Sequence, residues 1–171
     1  YSTKVGELRQ FLSEYGLIRN RVRVEIEWLK ALANSPDIRE CPSFSASTIQ
    51  ELDSVVADFS ESDADAIKMI EARTNHDVKA MGYWLKERMA SSHEAVAVRE
   101  FIHFGCTSED INNVAHALML KDAIKAVLLP ACDRTIERFR ELAHQHASIP
   151  MMAHTHGQSA TPTTLGKEMA N

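Results

Sequence analysis

The stretch Val22-Arg23-Val24-Glu25-Ile26-Glu27-Trp28-Leu29-Lys30-Ala31-Leu32-Ala33 decides the fold class. Val22, Ile26, Leu29 and Ala33 fall at i, i+4, i+7 and i+11, the spacing that lays apolar side chains along one face of a helix. The stripe recurs in Ile49, Leu52, Val56 and Phe59, again in Val78, Met81, Leu85 and Met89, and later in Ile111, Val114, Ala115 and Leu118. It continues through Ile124, Val127 and Leu128 to Ile136, Phe139 and Leu142. Runs of alternating β-branched residues are missing, so the sequence predicts an all-α protein.

A chain of 171 residues, 44% hydrophobic and 25% charged, has the make-up of a globular protein able to bury a core. No window approaches the 18 apolar residues of a membrane span and no signal-peptide pattern opens the chain, so the expected compartment is the cytosol, with no membrane partner. Cys41, Cys106 and Cys132 show no CxxC spacing and are expected to stay reduced. A net charge of -5 argues against nucleic acid as a partner, because a phosphate-backbone binder needs a basic face. An anionic ligand would have to find its positive partners locally.

Breaks fall at Asn34-Ser35-Pro36, at Cys41-Pro42-Ser43, at Ser91-Ser92-His93 and along the run from Ser148 to Pro162. Helical segments are short before the third break and long after it. This predicts an amino-terminal helical domain over residues 1–99 and the first part of a long-helix bundle over residues 100–171, with Pro130 kinking or dividing one element. Thr161-Pro162-Thr163-Thr164 reads as a helix start, Thr161 as N-cap and Pro162 at the first helical position.

Three polar stretches carry the chemistry. In Gly105-Cys106-Thr107-Ser108-Glu109-Asp110, Thr107 with Asp110 three residues on matches a capping box. The same free N–H groups and hydroxyls would hold a carboxylate, against the negative charge of Glu109 and Asp110. Arg73-Thr74-Asn75-His76-Asp77-Val78-Lys79 reads as another helix start, with Asn75 or Asp77 as cap. There His76 is either simply solvated or held in one tautomer by a neighbour while its other nitrogen meets a ligand. In His154-Thr155-His156-Gly157-Gln158, two histidines two residues apart would point the same way in an extended segment and share a metal. No Asp or Glu lies close by to complete that site. Structural histidines and a proton-transfer site, with Gly157 admitting a ligand to the backbone, remain the other readings.

Together, Thr155-His156-Gly157-Gln158-x-Ala160-Thr161-Pro162-Thr163-Thr164-x-Gly166-Lys167-Glu168, Thr74-Asn75-His76-Asp77-Val78-Lys79 and Phe104-Gly105-Cys106-Thr107-Ser108-Glu109-Asp110-Ile111-Asn112 closely resemble the bacterial-type adenylosuccinate lyases of the fumarase/aspartase superfamily. The resemblance extends to Phe11-Leu12-Ser13-Glu14-Tyr15-Gly16-Leu17 near the start, and so runs over the whole chain. It implies elimination of fumarate from adenylosuccinate to give AMP, and from the succinylated aminoimidazole carboxamide ribotide of purine biosynthesis. It also implies a homotetramer whose active sites are shared between subunits, acting on a small nucleotide without metal or organic cofactor.

By the same resemblance, His156 is the general acid, Thr107 and Ser108 hold the succinyl carboxylates, and Asn75, His76 and Asp77 contact the nucleotide near the reacting centre. Tyr1 matches the tyrosine of an Arg-Tyr pair on the substrate phosphate, and Thr155 and Gln158 are supporting contacts. The family's Gly-Ser-Ser-x-Met-Pro-x-Lys-x-Asn loop, which carries the serine base, occurs nowhere in these residues. The expectation is therefore an amino-terminal part that holds the acid and lacks the base, inactive by itself. The alternatives are another lyase or cycloisomerase of the superfamily, or a non-catalytic helical interaction module.

Overall fold

The computed structural model describes residues 1–171, which form two compact units, Tyr1–Ala123 and Ile124–Asn171. In the first unit, α1 (Glu14–Ala33) is the central element. It is capped by Ser13, whose hydroxyl accepts the Gly16 N–H at 3.2 Å. Val22, Ile26 and Leu29 are fully buried, together with Ile18 and Ala33, against α2 (Ala46–Ala57), α3 (Glu61–Thr74) and α4 (Asp77–Arg88). Each such side chain removed from water is worth roughly 1.5–3 kcal/mol. The stripe Val78, Met81, Leu85 and Met89 is buried as its spacing predicts, and Phe59 stacks edge-on to Trp84.

A second face of α1 buries Val24 against Ile111 and Ala115 of α6 (Ser108–Ala123). Between α4 and α6, α5 (His93–Ala97) and short turns bring the chain to two backbone positions with positive φ, His103 (64°) and Gly105 (71°). No helix of the protein is long and apolar enough to cross a membrane.

The second unit opens with a π-helical turn over Ile124–Leu128 and continues as α7 (Leu129–Gln145). The wider turn lies where Pro130 has no N–H to give and its ring would crowd the carbonyl four residues back, so Pro130 is absorbed without a break in α7. The apolar stripe of this unit finds no cover within it: Ile136 and Phe139 are 55% and 51% exposed.

The fold is mostly helical, but the unit ends in an antiparallel hairpin that the helical pattern misses. Strand β1 (Pro150–Thr155) pairs with β2 (Gln158–Thr164), with an irregularity between Met152 and His154. Thr155 pairs with Gln158, which leaves His156 and Gly157 as a two-residue turn with φ of 52° and 77°. Positive φ at both turn positions is what the right-handed twist of a tight hairpin demands, and the second is met by glycine.

The helix start expected at Thr161-Pro162 is therefore wrong. Those residues are spent on the ladder, where Pro162 sits opposite Met152, and the cap falls to Thr164, whose hydroxyl accepts the Lys167 N–H at 3.2 Å. The helix that follows, α8 (Leu165–Ala170), docks on the end of α7 through Gly166, whose N–H donates to the His146 carbonyl at 2.9 Å. A Cβ at Gly166 would run into the backbone of Ala143 and Ala147.

Candidate active site

In the first unit, two of the three polar stretches meet at one cavity of about 320 Å³. His76, Val78, Lys79, Gly82, Tyr83 and Lys86 line it from the α4 side. Ile102, His103 and Ser108 line it from the loop before α6 and the first residue of that helix. Lys86 is already paired with Glu100 at 2.8 Å, so the Lys79 ammonium, two imidazoles and the hydroxyls of Tyr83 and Ser108 are what this opening offers an anion in a chain whose net charge is negative.

The cap of α4 is His76, not Asn75 or Asp77. Its Nδ1 accepts the Lys79 N–H at 3.2 Å, so a neutral His76 carries its proton on Nε2. Asn75 instead ends α3 in the left-handed conformation, φ 53°, and is exposed. Asp77 turns inward and meets Arg21 at 2.7 Å. Partial burial raises the Asp77 carboxyl, but the Val78 N–H and the Arg21 guanidinium outweigh it and hold the group below the usual aspartate range.

At the start of α6 the capping box forms as the spacing predicts. The Thr107 N–H and hydroxyl both reach Asp110, at 2.8 and 3.0 Å, while the Thr107 hydroxyl accepts the Asp110 N–H at 3.4 Å. These donors hold the Asp110 carboxyl below its usual range. Thr107 must therefore release Asp110 before its donors can serve a substrate. The half-buried Ser108 hydroxyl has no partner in the protein and lines the cavity directly.

The third stretch lies in the second unit. His156 stands at the exposed tip of the hairpin, with Thr155 and Gln158 exposed on either side. Because His156 is in the turn, strand alternation does not put its ring on the same face as that of His154, and the premise for a shared metal is lost. No group of three His, Cys, Asp or Glu side chains in the protein is arranged to hold a metal ion. Tyr1 is fully exposed.

A family profile described as lyase matches residues 1–171. The chain belongs to this lyase family. It is 56% identical over all 171 residues to an adenylosuccinate lyase of Escherichia coli K12 and 53% identical to one of Vibrio cholerae. The chain spans 38% of the length of each of these relatives. Among solved structures it resembles a 3-carboxy-cis,cis-muconate lactonizing enzyme of Pseudomonas putida, with a TM-score of 0.68 and 21% identity over 96% of this chain and 34% of that one. A fumarate lyase of Mesorhizobium matches with a TM-score of 0.65 and 20% identity over 96% of this chain and 36% of that one. At these identities the two structures speak for the fold alone.

What holds the two motifs of the first unit in place is one face of α1 that sequence reasoning passed over. Arg21, Glu25 and Trp28 follow at i, i+4 and i+7. Arg21 donates to Asp77 at 2.7 Å and to Asn112 at 2.8 Å, tying both motif helices to α1. Glu25 takes His103, and the Trp28 indole donates to the Phe104 carbonyl at 2.8 Å.

Arg21→Met is expected to lower the unfolding free energy by about 1–2 kcal/mol at pH 7, less than a fully buried pair would cost because Asp77 is 43% exposed. A carboxyl held low in the folded state contributes stability above its ordinary pKa and loses that contribution as pH falls through the folded value. The gap between wild type and Arg21→Met should therefore narrow between pH 7 and pH 3 in urea titrations. An undiminished gap at pH 3 would show that Asp77 is not what Arg21 serves.

Proposed function

We propose that the intact protein eliminates fumarate from adenylosuccinate to give AMP, and from the succinylated aminoimidazole carboxamide ribotide of purine biosynthesis. The observation that carries this reading is the 56% identity, over all 171 residues of the chain, to a relative named adenylosuccinate lyase. A cavity lined by His76, Lys79, His103 and Ser108 supports it, because the substrate carries two carboxylates and a phosphate.

In the proposed reaction a base removes the proton beside a succinyl carboxylate. The resulting dianion collapses to form the fumarate double bond, and the carbon–nitrogen bond breaks with its electron pair leaving on nitrogen. His156 supplies the proton that this nitrogen takes up. Ser108, and Thr107 once freed from Asp110, bind the carboxylates. Asn75, His76 and Asp77 contact the nucleotide, Tyr1 its phosphate, and Thr155 and Gln158 support the acid.

The base is the serine of a loop outside these residues. Residues 1–99 act as the amino-terminal domain and residues 100–171 begin the central bundle of a cytoplasmic homotetramer with shared active sites. Ile136 and Phe139 on the exposed stripe of α7 need a cover that the second unit does not provide, as the further helices of a bundle would give.

The test is to assay the intact protein on adenylosuccinate beside argininosuccinate, fumarate hydration and a carboxymuconate. Adenylosuccinate should exceed the others in kcat/KM by at least about 10³-fold, a ratio that a site built to pair substrate polar groups can reach. Turnover of one of the others with none of adenylosuccinate would assign the chain to a different branch of the superfamily.

A further inference from the structure

Glu25 lies in the middle of α1, 1% exposed, and its carboxylate has a single partner residue. One oxygen accepts the His103 backbone N–H at 2.9 Å and the other lies 2.7 Å from His103 Nδ1. Burial pushes the Glu25 carboxyl above its usual range, and the His103 contacts offset only part of that. Both oxygens of this costly buried acid are spent on one residue, His103, so its service is to that residue and not to the apolar core.

The residue it grips is itself in a disfavoured backbone conformation, φ 64° without being glycine. Two unfavourable features thus meet at one side chain, and that side chain faces the cavity with His76, Lys79 and Ser108. With Nδ1 occupied by Glu25, Nε2 is the ring nitrogen left for a ligand. His76, whose Nδ1 accepts a backbone N–H, is left with Nε2–H as its free donor. The other titratable groups around the His103 cavity are Lys79, Tyr83, Lys86 with its partner Glu100, Cys106 and Asp110.

We propose that Glu25 is a positioning residue of the active site: its buried carboxylate accepts Nδ1–H of a doubly protonated His103 ring and the His103 backbone N–H, so that Nε2–H is presented as a donor to an anionic group of the substrate. This rests on the lyase reading of the cavity. It assigns a role to the polar face of α1 that neither the family motifs nor the capping geometry requires.

The test is a mutant cycle in the intact protein, read as kcat/KM together with the thermal midpoint. Glu25→Gln is expected to lower kcat/KM by about 10- to 100-fold, the usual cost of losing an orienting partner of a functional histidine. Glu25→Met, which removes the buried acid at similar volume and leaves the His103 backbone N–H without its acceptor, should lose at least as much activity as Glu25→Gln. In a His103→Gln background neither change should cost anything further. Inhibition by AMP and by fumarate, measured on the same variants, separates a phosphate contact from a carboxylate contact.

A readout independent of turnover is carbethoxylation by diethyl pyrocarbonate, followed by mass spectrometry. Glu25→Met should change the rate at His103 while His76 keeps the wild-type rate, because only His103 loses a ring partner. Full activity in Glu25→Met, an undiminished loss in the His103→Gln background, or an unchanged rate at His103 would each overturn the proposal. Failure of the wild type to convert adenylosuccinate would instead strike the proposed function, leaving the modification rates to decide the role of Glu25.

Discussion

Replacing His156 by asparagine in the intact protein is expected to lower kcat for adenylosuccinate by about 10²- to 10⁴-fold, the range that a positioned general acid contributes. Asparagine is chosen because of the turn. His156 and Gly157 both have positive φ, and Asn-Gly is the pair best suited to a two-residue hairpin of this kind, so the variant keeps the hairpin while removing the proton donor. KM should move by only a few-fold, since the proton is needed as the carbon–nitrogen bond breaks and not for binding. The reverse addition of AMP to fumarate should slow by the same factor, because the group that gives the proton in one direction takes it in the other. A variant with unchanged kcat in both directions would remove His156 from the reaction. One that loses activity only together with its thermal midpoint would make it a turn residue.

The sequence shows some layers of this molecule plainly and hides others, for physical reasons. The stripe Val22, Ile26, Leu29 and Ala33 is visible because a helix packed on one face has a single period, and all four are buried. The capping box at Thr107 and Asp110 is visible because it is local, three residues wide. The hairpin is not, because its strands alternate nothing: both faces are largely exposed, so no burial pattern of period two is imposed on Met151, Met152 or Thr161. The His-Gly turn is the one signal that marked it, and the same two residues also fitted a site.

The polar face of α1 is hidden for the opposite reason. Arg21 and Glu25 sit four apart on a helix, a spacing that ordinarily means a solvated pair of modest worth. Only the fold reveals that they face inward and reach residues 56 and 78 positions away. Likewise, nothing local distinguishes Asn75 or Asp77 from His76 as the cap of α4. The inward pull of Arg21 on Asp77 and the left-handed turn at Asn75 decide it in favour of the histidine.

Ser108→Ala in the intact protein is the companion test of the cavity, and it separates the two hydroxyls that the sequence offers side by side. Ser108 is half-buried, faces the cavity, has no partner within the protein and stands at the amino end of a helix 16 residues long. Its hydroxyl and the free N–H groups of that first turn are therefore prepared for a carboxylate whose charge grows as the adjacent carbon loses its proton. Loss of one such donor is expected to lower kcat/KM by about 10²- to 10³-fold, with Ser108→Thr restoring part of it. Thr107 stands in a different position, since its donors are already committed to Asp110. Thr107→Val should cost about 1 kcal/mol of stability through loss of the cap, and its kinetic effect should be smaller than that of Ser108→Ala, because a substrate gains from Thr107 only what remains after Asp110 is displaced. Should Ser108→Ala stay within about threefold of wild type, less than the loss expected for even a modest hydrogen bond, the carboxylates are bound elsewhere and the cavity between α4 and α6 is not where the succinyl group sits.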